Sequence, residues 1–238
     1  MNLKIKIRKL FNIFGLDIIR ARHSPRKTLL GLSARNISSV IDVGANEGQF
    51  GRSILDIFPG AHLYCFEPLA APFQKLLAWS GSSSANVRCF NLAIGDVERT
   101  VEMHCHIHHS PSSSILASTA HGHEIYPQTA SEIITNVKLT TLDTILGQEI
   151  ESMPKPILLK LDVQGFEDRV LRGASKILEK CEVCLLEVCL DPLYEEQANF
   201  IELANLLFDA GFKYAGNLDQ AYAMDGHVIY LDAVFVRS

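Results

Sequence analysis

A chain of 238 residues with 47% hydrophobic and 21% charged residues can bury one full α/β core, and its composition excludes disordered, collagenous and disulfide-scaffold classes. The formal charge of −5 is uneven: residues 1–27 carry eight Lys and Arg against Asp17 alone, which gives +7 there and −12 in the rest. An acidic globular part with a basic end disfavours nucleic acid as a partner, because neutralising phosphates takes a clustered cationic surface.

At the start of the chain, Leu3, Ile7, Leu10, Phe11, Phe14 and Ile18 follow helical spacing, with Lys4, Arg8, Asn12 and Arg22 among the others. This pattern predicts a basic amphipathic helix in an extension spanning 1–36, ahead of one domain at 37–238. Packing across the domain as a cap is the favoured role, since most amphipathic helices bury their stripe in their own protein. The alternative is peripheral contact with an anionic membrane surface. No apolar run reaches the roughly 18 to 20 residues of a membrane span, and no uninterrupted apolar segment with a cleavage site marks a signal peptide. The cysteines at 65, 89, 105, 181, 184 and 189 mostly fall in strand-like runs and read as free thiols in a reducing compartment. The expected location is the cytoplasm, with contact at the inner membrane face as the alternative.

From residue 39 onward, short β-rich runs alternate with helical stretches, the pattern of a mostly parallel, doubly wound sheet. Strands are predicted at 40–45, 62–68, 87–95, 157–163 and 182–188, and helices at 48–58, 70–79, 166–178 and 194–210. The runs 212–218 and 232–238 leave no room for a long crossover helix between them and predict a terminal antiparallel hairpin. A long insertion at 96–156 should emerge near the carboxyl ends of the strands, where ligands bind in such sheets, and is the candidate acceptor-recognition segment.

The run IDVGANEGQF places Asp42 and Gly44 at the end of the first strand and Gly48 at the start of the next helix. Asn46 stands where a dinucleotide fingerprint has its second glycine, so a pyrophosphate is poorly accommodated. Asp42 and the helix amides suit instead the charged amino-acid end of S-adenosylmethionine. Glu67, in Phe66-Glu67-Pro68, ends the second strand, where a carboxylate accepts hydrogen bonds from ribose hydroxyls.

The segment KLDVQGFE at 160–167 ends the fourth strand. Asp162 is the first choice for a base or an acceptor-orienting group, with Gln164 and Glu167 as positioning groups and Glu187, at the end of the fifth strand, as a converging acid. The competing role for Asp162 is a helix N-cap, and for Glu167 a first-turn acid. His104, His106 and His108 share one face of a predicted strand, with His109 following. Their favoured reading is the polar outer face of an exposed strand. No metal site is predicted, and Cys181 and Cys184, three apart in a strand, should point to opposite faces. Ser110 and Ser112 to Ser114 are assigned to the acceptor side, and Phe73 and Trp79 to the core.

Taken together and in order, DVGANEGQF, FEP at 66–68, NLAIGD at 91–96, the serines 112–114, TLD at 141–143 and LKLDVQGFEDRVLRGA at 159–174 resemble the FkbM-type methyltransferase family. The resemblance runs from residue 39 to the C terminus and leaves out the basic helix. It implies a Rossmann-like class I methyltransferase fold with S-adenosylmethionine as cofactor. Asp42, Gly44 and Asn46 would surround the methionine part, Glu67 the ribose and Ala93 the adenine, with Ala45, Gly48, Phe66, Pro68 and Asp162 completing the cofactor site. It also implies methylation of a hydroxyl on a saccharide, glycolipid or related small molecule, as in polysaccharide biosynthesis. Rival readings are a non-catalytic module that binds a glycan or protein partner, and a nicotinamide oxidoreductase, against which Asn46 and the hairpin argue. Amine methylation lacks its N-P-P-Y type of loop after the fourth strand.

Overall fold

Parallel strands covered on both faces need apolar residues at nearly every position, and the central runs of this chain supply them. The computed structural model describes residues 3–16, 18, 20–107 and 109–237. The side chains of Leu3, Lys4 and Arg8, and the residues Asp17 and His108, lie outside the described residues. In chain order the first elements are α1 (Leu3–Ile13), α2 (Pro25–Thr28), β1 (Ser39–Val43), α3 (Gln49–Ile57), β2 (His62–Phe66), α4 (Ala70–Ser82) and β3 (Val87–Phe90). The insertion contributes β4 (Ala93–Ile94), β5 (Arg99–His106), α5 (Ala120–Ile125), β6 (Glu132–Thr140) and α6 (Leu142–Leu146). The chain then runs through β7 (Ile157–Leu161), α7 (Glu167–Arg172), α8 (Ser175–Lys180), β8 (Val183–Cys189), α9 (Phe200–Asp209), β9 (Phe212–Tyr222) and β10 (Val228–Arg237).

The main sheet has the order β3-β2-β1-β7-β8-β10-β9. Its first five strands are parallel, and β10 runs antiparallel to both β8 and β9. The hairpin thus closes the sheet with its second strand placed inside. The order reverses between β1 and β7, where Asp42 lies beside Lys160, and such a switch opens a crevice at the carboxyl ends of the strands. Alternate side chains feed two cores. Ile41, Phe66, Leu159 and Leu186 pack with residues of α6 to α9, and Val40, Leu63, Leu158 and Leu185 pack with Ile54 of α3 and Leu76 of α4.

Several sequence expectations change. The third strand breaks after Phe90, because Asn91 turns its side-chain amide onto the Glu67 and Pro68 carbonyls, and Ala93–Ile94 joins β5 and β6 in a separate three-stranded sheet. The helix expected over 166–178 divides at Gly173, which packs against the Gly95 carbonyl so closely that a Cβ would lie 1.9 Å from its oxygen. Asp143 then caps α8 through the Lys176 and Ile177 amides. The last helix begins at Phe200 rather than 194, since Asn199 and Glu202 form a reciprocal capping box. Cys181 ends α8 instead of lying in the strand, so both it and Cys184 are buried in the same core, and all six thiols are free.

The cap expectation for the first helix is overturned. Ile7, Leu10, Phe11, Phe14 and Ile18 are each more than a third exposed. The part of the N-terminal segment that packs is Leu29, Leu30 and Leu32 against the second core, with Arg26 paired to Asp219 on β9, so packing begins before the boundary drawn at 37. No helix among the described residues is long and apolar enough to cross a membrane.

Candidate active site

The loop after β1 is shaped by glycines whose reason is internal packing. Gly44 has φ +80°, and a Cβ there would lie 1.9 Å from the Asp162 carbonyl oxygen. Gly48 has φ +89° and would meet the Trp79 ring at 2.7 Å. These glycines let β1 close on the end of β7 and α3 close on α4, and Gly44 also lines the cleft described next. Gly48 lines no part of the cleft described next.

That cleft lies over the ends of β1 and β2 and spans about 610 Å³ of empty space, open to solvent. Gly44, Asn46, Phe66, Glu67, Pro68, Ala93 and Asp162, all named from sequence, line it, with Leu92, Met103, Ile115 and Phe166 adding apolar wall. Glu67 is buried, with Oε2 accepting from Asn46 N (2.9 Å) and Oε1 from Leu69 N (2.8 Å). Burial pushes its carboxyl up to about 7 against these two amides. Asn46, with φ +46°, donates through Nδ2 to Ser110 Oγ at 3.2 Å, which ties the serine run to the glycine loop.

Asp42 does not line this cleft. Its side chain is fully buried on the opposite face of β1, with Lys160 Nζ 3.3 Å from Oδ1. Burial raises its carboxyl even though Lys160 opposes this. Lys160 Nζ also donates to Asp162 Oδ2 (3.1 Å) and Gly44 O (3.3 Å). Burial alone would lower the Lys160 ammonium, but Asp162 and Asp42 outweigh it and hold it above its ordinary value. Ala45 lies against the adjoining space bounded by Lys160 and Asp232.

Asp162 stands at the junction of this cleft with a second cavity of about 770 Å³. It is no N-cap: α7 starts after Phe166, and the Asp162 carboxylate is occupied by Lys160 and by Gln164 Nε2 (2.7 Å). Gln164 Nε2 donates equally to Glu187 Oε1 (2.6 Å), and its Oε1 accepts from Tyr194 Oη (2.6 Å). The strained backbone of Gln164, φ +57°, is braced by Ser114 Oγ donating to its carbonyl at 2.7 Å. Burial, then Asp162 and Asp232, push Glu187 well above the usual carboxylate range.

Glu167, expected to position the acceptor, turns away instead. It is buried and accepts from Val163 N at 2.9 Å, holding the 163–167 loop, and burial pushes it up to about 7. The histidines separate as well. His104 Nδ1 lies 3.0 Å from Glu132 Oε1, and His106 is buried beside Ser118 Oγ rather than on an outer face. His109 reaches the second cavity, its Nδ1 2.8 Å from Ser112 Oγ. No group of three or more metal-ligating side chains is present among the described residues. The serine run lies over both cavities, with Ser110 and Ser113 on the first and Ser112 on the second. Sequence reasoning missed Tyr126, Tyr194 and Tyr230, which wall the second cavity from three separate segments and share no spacing that could mark them.

A family model described as the methyltransferase FkbM domain matches residues 42–214. The chain belongs to the FkbM methyltransferase family. As a member it is a methyltransferase with S-adenosylmethionine as its cofactor. It is 27% identical over 175 residues to the 2-O-methyltransferase NoeI of Sinorhizobium fredii, covering 71% of this chain and 70% of NoeI. It is 29% identical over 174 residues to the AMB antimetabolite synthetase AmbE of Pseudomonas aeruginosa, covering 63% of this chain but 8% of that much longer protein. In fold it is similar to the crystal structure of methyltransferase FkbM from Methylobacillus flagellatus KT, with a TM-score of 0.51 at 12% identity, covering 84% of this chain and 44% of that one.

Proposed function

We propose that this methyltransferase transfers the methyl group to a hydroxyl of a saccharide, glycolipid or related small molecule. The observation that carries the reading is the Asp162 carboxylate, shared by the cleft beside Glu67 and the polar cavity beyond Gln164. The name of NoeI, a 2-O-methyltransferase, supports oxygen as the acceptor atom.

The residues present fit the cofactor. Each Glu67 oxygen accepts one backbone N–H and keeps a further lone-pair site for a ribose hydroxyl. Leu92, Ala93, Met103 and Phe166 offer an apolar enclosure for the adenine, with Gly44, Ala45 and Asn46 along the methionine part. Asp42 serves at one remove, by holding Lys160 against Asp162. When bound, S-adenosylmethionine supplies an electrophilic methyl group on a positively charged sulfur. Asp162 orients the acceptor hydroxyl and takes its proton, while Gln164 and Lys160 fix the carboxylate and Glu187 adds a second acid beside it. The catalytic unit on this reading is 37–238, packed on by residues 29–32 of the extension.

Incubation with methyl-labelled S-adenosylmethionine and a panel of hydroxylated acceptors tests the proposal. Label should appear in an ether, and Asp162→Asn should lower turnover by about 10²- to 10⁴-fold while retaining cofactor affinity. Label in an amine would overturn oxygen as the target; cofactor binding without turnover on any acceptor would leave a non-catalytic module.

A further inference from the structure

We infer that the second cavity is an acceptor subsite for an uncharged polyhydroxylated ring and rejects acceptors that carry phosphate or carboxylate beside the reacting hydroxyl. The inference rests on the proposed hydroxyl methylation and adds the class of acceptor.

The wall is built by Tyr126, Gln128, Gln164, Glu187, Tyr194 and Tyr230. Two of these are spent on each other. Both Gln164 amide hydrogens go to Asp162 and Glu187, and the Tyr194 hydroxyl lies on Gln164 Oε1 (2.6 Å) and Ser112 O (3.0 Å). These bonds make a rigid back wall. The remainder are unspent: among the described residues no hydrogen bond engages the Tyr126 or Tyr230 hydroxyl or the Gln128 side chain, and Glu187 uses one of its two oxygens. Two phenols, one primary amide and one carboxylate oxygen give donors and acceptors together, which a ring of hydroxyls requires because each hydroxyl both donates and accepts. The tyrosine rings offer apolar surface for the C–H faces of such a ring.

Charge decides against anions. No Lys or Arg is among the described residues lining the cavity, and anion recognition ordinarily uses Arg, Lys or a free helix N terminus. Lys160 is held behind Asp162 by Asp42 and the Gly44 carbonyl. The amide of Gly122, at the start of α5, is already taken by Thr119 Oγ1. Asp162 and Glu187 both line the cavity, and Asp232 lies beside Glu187 across β8 and β10. Among the described lining residues His109 is the one able to carry positive charge, and it is bonded to Ser112. An acceptor phosphate entering here would meet Asp162 and no Lys or Arg among the described lining residues to compensate its charge.

Saturation-transfer NMR on the full chain with S-adenosylhomocysteine tests this, using neutral methyl pyranosides (hexoses, 6-deoxyhexoses and N-acetylhexosamines) against hexose 6-phosphates and hexuronates. At least one neutral pyranoside should bind, and its charged counterpart at least about tenfold more weakly. Tyr126→Phe and Tyr230→Phe should each weaken the sugar by about three- to tenfold, a lost hydrogen bond's worth, with S-adenosylhomocysteine affinity unchanged as the control for folding. Absence of binding by every neutral pyranoside, or equal or tighter binding of the phosphates or uronates, would sink the inference. A pyranoside that binds but accepts no methyl group would instead remove the hydroxyl-transfer reading and leave the binding preference standing.

Discussion

At Gly44 a single missing Cβ holds two strands together. Because both the positive φ and the 1.9 Å approach of the Asp162 carbonyl forbid a side chain, Gly44→Ala must push β1 from β7 as well as strain the loop. The expected cost is about 3 kcal/mol or more, with loss of cofactor binding, read by thermal melting and calorimetric titration. Glu67 presents the complementary case. Each of its oxygens faces a backbone donor, so in Glu67→Gln one N–H must confront an amide NH₂. That variant should lose about 1–3 kcal/mol of stability and bind S-adenosylmethionine at least about tenfold more weakly; unchanged affinity by titration would remove Glu67 from the cofactor site. Both residues, which line the cleft, were legible as candidate site residues because a glycine and a glutamate stand out after the apolar runs of β1 and β2. Asp42 was misread for the same reason. Nothing in its sequence position says on which face of β1 its carboxylate lies, and the pleat puts it with Lys160, away from the cleft.

Among the elements, α1 is the one whose role the fold leaves outside the core. Ile5, Ile7, Leu10, Phe11 and Ile13 are exposed, whereas Leu32 is buried and Leu30 packs beneath β9 near Gly216. Deleting residues 1–16 should therefore shift the melting temperature by no more than about 1 °C, since little apolar burial is lost. The proposed role of α1 is contact with an anionic lipid surface, given the +7 charge of residues 1–27. Cosedimentation with phosphatidylglycerol vesicles should fall on the deletion, and a loss of several degrees in the melt would bring the cap back. Element boundaries were legible where local chemistry sets them, and the N-x-x-E at 199–202 was such a signal that periodicity alone overlooked. The break at Gly173 was not, because its cause is the Gly95 carbonyl, 78 residues earlier in the chain.

Across the whole molecule, buried acids set the pH dependence of stability. Burial pushes Glu67 and Glu167 up to about 7 and Asp232 up to about 6, and raises Asp42 and Glu187 as well. The folded state thus keeps protons that the unfolded chain releases, so stability falls as pH rises from about 4.5 to about 7 and the cost is fully developed above that. His106, lowered by burial, opposes this below its ordinary value, one group against several. The melting temperature should be higher at pH 6 than at pH 8, and the difference smaller in Asp232→Asn; a melt that rises with pH would contradict the assignment.

The alternation of β-rich and helical runs, the terminal hairpin and the ordered family motifs are local patterns, so the sequence by itself determined the fold class, the family and, through the family, the cofactor. The second cavity, the proposed acceptor subsite, belongs to tertiary structure alone. Its wall comes from Tyr126 in the insertion, Gln164 after β7, Glu187 on β8, Tyr194 before α9 and Tyr230 on β10, residues that no period or spacing links and that only the folding of the insertion over the carboxyl ends of the strands brings together.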